Sequence, residues 1–181
     1  GNYGERSENF PIGLLHDDDG AVVGHGLNVC NIPVGENGFV QRFLSSKAAV
    51  IMSNINKIKT ELNDYPNEAW IVLIKSSAHQ WDYWESNALP SETRAHSAEI
   101  DILLLEAAKC ATGVSFDDDD IRRRRLRLPA RLRGGGVRSH VETTAAAFVG
   151  AVNQVCPRFI DHTDLAGELV EGFFPSLEPA F

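Results

Sequence analysis

The stretch LRLPARLRGGGVRS, residues 126–139, decides how this chain is folded. Pro129 has no backbone N–H to give and disfavours helix at Leu128, so a helix carrying the preceding arginines ends there. Gly134, Gly135 and Gly136 can take positive φ and leave their amides uncovered by side chains, so another chain or a phosphate can come close. Ser139 then opens a new helix, with Glu142 three residues on, the spacing of a capping box. The stretch is a helix–corner–helix joint, and it is basic. Arginine is the residue best suited to fork onto phosphate oxygens, which makes Arg124, Arg127, Arg131, Arg133 and Arg138, with Gly134 and Gly136, candidate nucleic-acid-binding residues. The other reading is a corner whose arginines are solvated or paired with acids upstream.

Outward from the corner the hydrophobic periodicity is helical. Phe39, Phe43, Val50, Ile51, Ile55, Ile58 and Leu62 recur at three, four and seven, giving an amphipathic helix over 39–62 with Asn37 a candidate cap and Lys47, Lys57 and Lys59 on its polar side. Pro66 and Glu68 open a second helix to about Ala78. Trp81, Tyr83 and Trp84 form the densest aromatic cluster, read as a base-stacking platform or as a helix end packed on the core; the spacing favours the core. Pro90 and Glu92 open a third helix to about Ala111, with Ala95, Ala98, Ile102, Leu103 and Leu105 inward and Gly113 at its end.

Asp117–Asp120 followed by Arg122–Arg125 places acid before base at i and i+4, which suits a helix. Past the corner, Ala145, Phe148, Val149, Val152 and Val155 line a helix to Pro157, and Asp161 or Thr163 could cap a last one. Phe173, Phe174 and Phe181 either dock on the core or face a continuation of the chain. At the other end, 10–15 and 21–34 are β-branched and bounded by glycine, with His16-Asp17-Asp18-Asp19-Gly20 between them, and read as a hairpin. The expected fold is mainly α, a helical bundle with a small N-terminal β-hairpin. It divides into 1–36 (hairpin and connector), 37–133 (helical, ending in the arginines) and 134–181 (corner and C-terminal helices).

Net charge is −8, which taken alone argues against a nucleic-acid partner. Its distribution argues otherwise: residues 122–138 hold eight arginines and no acid, while 1–121 hold nineteen acids against eight bases. A local patch can still grip phosphate, with an affinity that salt weakens. Cys30, Cys110 and Cys156 are odd in number and far apart, which suggests neither a disulfide frame nor a zinc site and points to a reduced, intracellular setting. No apolar run is long enough for a membrane span. The chain starts at Gly1, as a fragment or processed protein would.

LPARLRGGGVRS resembles, without a gap, the LPLRLGGLGLRS segment downstream of the polymerase core in reverse-transcriptase-like proteins of non-LTR retrotransposons. Leu128, Pro129, Arg131, Leu132, Gly134, Gly136, Arg138 and Ser139 match it; Arg133 stands where that family has glycine and Gly135 where it has leucine. Ala145 to Gly150, AAAFVG, is similar to the helix that follows there. Upstream, GLNVCNIPVGENGFV (26–40) resembles the family's GIKVLGVPIGSDEFV through Gly26, Val29, Pro33, Gly35, Phe39 and Val40, with Cys30-Asn31 in place of Leu-Gly. Where the family has a basic Leu-x-Arg-x-x-Pro-Pro step, this chain has WESNALP. The resemblance implies a region after the palm, contacting template and primer backbone, RNA or DNA, or buttressing the palm of a longer parent chain. It implies no polymerisation by this segment, because the aspartate-bearing motif is missing.

No HExxH, nucleophile elbow, P-loop or dinucleotide fingerprint occurs, and the six histidines are scattered. No catalytic residue, metal ligand or cofactor is therefore expected. Asp17–Asp19 invites a metal reading, but three adjacent carboxylates on a turn cannot all face one ion; Asp117–Asp120 could also hold a divalent metal, though a helix is sufficient to explain that block. His140 is read as a helix-start or surface residue. The rival to nucleic-acid contact is a helical protein-interaction module; a self-contained enzyme would rest on the acidic runs alone.

Overall fold

The computed structural model describes residues 13–16, 22–116 and 120–160. The expected turn at Asp17–Asp19, the acids 117–119 and the C-terminal segment 161–181 lie outside them. The chain forms two compact units, Gly1–Lys47 and Ala48–Phe181, with the boundary inside the first long helix.

The first unit holds an antiparallel sheet, β1 (Gly13–His16), β2 (Val22–Val29) and β3 (Ile32–Gly35), in the order β1-β2-β3. The expected hairpin is β1–β2. The pattern of 21–34 suggests a single strand, whereas the structure turns back in the middle of it. Val29 pairs with Ile32, so Cys30 and Asn31 form a two-residue loop with φ of 52° and 66°. Positive φ at both central residues matches the right-handed twist of the flanking strands. The signal was muted because cysteine, unlike Asn-Gly, does not advertise such a turn. Gly26 is needed on β2, since a Cβ there would sit 2.2 Å from Cδ1 of Phe39.

Helix α1 (Asn37–Glu61) starts in the first unit and continues into the second. Asn37 is its first helical residue, and Val40 N–H already bonds Glu36 O at 3.0 Å. The buried stripe Phe39, Val40, Leu44, Ala48, Ile51, Ile55 and Ile58 keeps most of the expected face, but Val50 is exposed.

In the second unit follow α2 (Pro66–Lys75), a 3-10 turn (Ser77–His79), α3 (Asp82–Asn87), α4 (Pro90–Thr112), α5 (Asp120–Arg127), a 3-10 turn (Ala130–Leu132) and α6 (His140–Ile160). Pro66 and Pro90 occupy first-turn positions where the missing N–H costs nothing. Gly113, at φ 68°, closes α4 in the left-handed conformation. Helices α3 and α4 both pack against α6, and α2 packs against α4.

The inward face of α4 differs from the one hydrophobicity suggests. Ala95, Ala98 and Ile102 are exposed, while Thr93, Ser97, Ile100, Asp101, Leu104, Ala107 and Ala108 are buried. Three of those buried positions are polar, and each has found a hydrogen-bond partner. A helix that buries hydroxyls and a carboxylate presents its apolar residues on a rotated stripe, so reading apolar residues alone misplaces the face.

Candidate functional site

The arginine corner is built as its sequence dictates. Helix α5 stops one residue before Leu128, and Pro129 leads into the 3-10 turn. The glycines then run back along the end of α5: Gly134 N–H bonds Pro129 O (3.2 Å), Gly135 N–H bonds Arg125 O (3.0 Å), Gly136 N–H bonds Leu128 O (2.9 Å) and Val137 N–H bonds Leu126 O (3.2 Å). This approach excludes side chains. A Cβ on Gly134 would lie 2.1 Å from Leu128 O, and one on Gly135 2.8 Å from Leu126 O. The glycine amides thus close the corner itself.

The candidate arginines part into two groups. Arg127 pairs with Glu142, and Arg138 Nη1 lies 3.2 Å from Asp82 Oδ2. Arg122, Arg123 and Arg124 are also engaged. Arg131 and Arg133 are exposed, as is Arg125, which sequence reasoning did not single out; these three have no partner among the described residues. All three belong to the corner: Arg131 sits in the 3-10 turn, Arg133 ends it, and the Arg125 carbonyl receives Gly135. Arg133 does so at φ 59°, a left-handed conformation unfavourable for a residue with a Cβ.

Behind the corner lies a buried polar network that joins α3, α4 and α6. Glu85, 1% exposed, is its centre. Its Oε1 accepts from Ser97 Oγ of α4 at 3.0 Å and from Thr144 Oγ1 of α6 at 2.9 Å. Ser97 Oγ in turn accepts the indole N–H of Trp81 at 3.0 Å. Trp81 is fully buried and lies 5.4 Å, centroid to centroid, from Trp84. Its ring is therefore core, and its face is not open to a base.

Asp101 of α4 holds the start of α6. Its carboxylate accepts from Ser139 Oγ (2.5 Å), His140 N–H (2.8 Å) and Val141 N–H (3.3 Å). Ser139 Oγ also receives Glu142 N–H at 3.4 Å, so the expected capping serine is present and is itself anchored to α4. His140 is the first residue of α6, as a helix-start reading has it, but it is fully buried. Its Nδ1 stands 3.1 Å from Glu85 Oε2 and 3.8 Å from Asp82 Oδ1.

No protein-family model, curated protein or solved structure matches this chain. The site is therefore read from its own chemistry. Exposed arginines at a hydrogen-bonded corner can hold anionic oxygens, and Glu142 and Asp82 tie that corner to α6 and α3 through Arg127 and Arg138. Asp82, Glu85, Asp101 and Thr144 escaped sequence reasoning because their partners lie far off in the chain. The available signal was Thr93, Ser97 and Asp101 at i, i+4 and i+8, one polar line along a helix otherwise rich in apolar residues.

Proposed function

We propose that this chain is a non-catalytic segment of a reverse-transcriptase-like protein, in which the corner at 125–138 contacts the backbone of template or primer. The observation that carries the reading is the set Arg125, Arg131 and Arg133, exposed around one closed corner and without partners among the described residues. Guanidinium groups left open on a chain of net charge −8 are where a polyanion gains most. Backbone geometry supports the resemblance as well. Asn31 and Arg133, two positions where the resembled segments carry glycine, both adopt the left-handed conformation that glycine takes without cost. Gly26 and Phe39, which match the upstream segment, lie directly against each other.

A docking surface for the parent's polymerase core is the second reading, and it too has an observation behind it. Leu132 (57%) and Leu128 (42%) are exposed apolar side chains at the same corner, and Ile121 (78%) is exposed at the start of α5. Among the described residues no helix is long and apolar enough to cross a membrane.

Binding of the purified chain to single-stranded RNA and to a primer–template duplex, beside the Arg125→Ala/Arg131→Ala/Arg133→Ala variant, separates the two. Backbone contact predicts binding that salt weakens and the triple substitution abolishes. Absence of binding at low salt overturns it and leaves the docking surface.

A further inference from the structure

Asp82 and Glu85 stand one turn apart on α3, and His140 of α6 faces them. One ligand atom from each, Asp82 Oδ1, Glu85 Oε2 and His140 Nδ1, lies within 4.8 Å of the other two. We propose that these three atoms hold a divalent cation of the zinc class, a site independent of the arginine corner's reading.

Two features carry the proposal beyond proximity. Asp82 Oδ1 and His140 Nδ1 are both buried and without a hydrogen-bond partner, although Nδ1 is within ion-pair distance of Glu85 Oε2. Buried polar atoms are nearly always satisfied, and here two orphans converge on the same point, while His140 Nε2, buried and unpartnered as well, would carry the ring proton. A proton on Nδ1 could serve one carboxylate, but it would leave Asp82 Oδ1 unpaired. A cation serves all three.

The remaining oxygens, meanwhile, are held from outside. Ser97 and Thr144 fix Glu85 Oε1; Arg138 Nη1 and His79 Nδ1, each 3.2 Å away, fix Asp82 Oδ2. Such anchoring orients carboxylates toward a metal and leaves one oxygen of each free to bind. The set of one imidazole nitrogen and two carboxylate oxygens suits zinc. Tetrahedral coordination asks for donors about 3.3 Å apart. The 3.1 and 3.8 Å separations at His140 need only small adjustment, and the two carboxylate oxygens, within 4.8 Å of each other, would draw together on the ion. Asp82, whose side chain is 32% exposed, is the member of the set nearest solvent.

The test is calorimetric titration of zinc into the chelator-treated full chain, with a melting curve at each end point. It is repeated on Asp82→Asn and on a Cys30→Ser/Cys110→Ser/Cys156→Ser variant that removes thiolate binding. Asp82 is partly exposed, so Asp82→Asn keeps the fold, which the melting curve verifies. The proposal expects one equivalent bound with a higher melting temperature, unchanged in the cysteine-free variant and weakened at least tenfold in Asp82→Asn. Cobalt in place of zinc should give tetrahedral visible bands without thiolate charge transfer. Binding that is absent, insensitive to Asp82→Asn or lost with the cysteines overturns it.

Discussion

Replacing Asp101 by alanine should cost this chain more stability than the loss of an ordinary helix cap. Its carboxylate, on a residue only 7% exposed, receives the Ser139 hydroxyl and the amides of His140 and Val141. Of the three donors, Ser139 and His140 are buried and would find no water, while Val141 is half-buried and can recover it. An unsatisfied buried donor costs roughly 1–3 kcal/mol, so two of them, partly relaxed, come to about 3 kcal/mol. An exposed N-cap is worth about 1 kcal/mol. Asp101→Asn keeps one acceptor oxygen and should cost about half as much as the alanine. Urea unfolding followed by tryptophan fluorescence and by circular dichroism gives both numbers by linear extrapolation, and an unchanged slope would show that only stability moved. Trp81, joined to the same network through Ser97, makes fluorescence a direct reporter. If Asp101→Ala unfolds within about 0.5 kcal/mol of the parent chain, as a surface substitution would, the reasoning fails.

Two further outcomes follow from single residues. Arg133→Gly should stabilise the chain by about 0.5 to 1 kcal/mol, because glycine relieves a left-handed conformation worth roughly 1–2 kcal/mol and gives back part of that in unfolded-state entropy. It should also weaken nucleic-acid binding, and urea midpoints beside binding curves check both. Glu92 should make stability depend on pH: burial raises its carboxyl above the ordinary value, with a backbone hydrogen bond from Leu89 opposing. A folded-state value above the unfolded one gives stability that is present below the unfolded value and lost as pH rises through the folded one. Glu92→Gln cannot ionise, so it should gain on the parent chain as pH rises above the ordinary carboxylate range and the parent's Glu92 is forced to ionise, and equal pH profiles would refute this.

Helix positions were legible because their punctuation is local. Pro66, Pro90, Gly113 and Pro129 act on their own backbone and mark ends whatever surrounds them. The inward face of α4 was not, because Thr93, Ser97 and Asp101 are buried by partners on α3 and α6 or by their own helix's backbone, which hydrophobic periodicity does not register. His140 shows the same limit. Its place at a helix start could be read from Ser139 and Glu142, but its burial against Glu85 and Asp82 depends on how α3 meets α6. Among the arginines, charge was visible and availability was not: Arg127 and Arg138 are taken by Glu142 and Asp82, while Arg125 is open.

The claim that the corner meets a nucleic-acid backbone is tested most directly by the salt dependence of binding to a primer–template duplex. Three open arginines predict a slope of log affinity against log salt of about −2.7, or about −2.1 for a single strand. The Arg125→Ala/Arg131→Ala/Arg133→Ala variant should bring that slope close to zero. A slope unchanged by the triple substitution would place the contact elsewhere, and no binding at low salt would contradict the account.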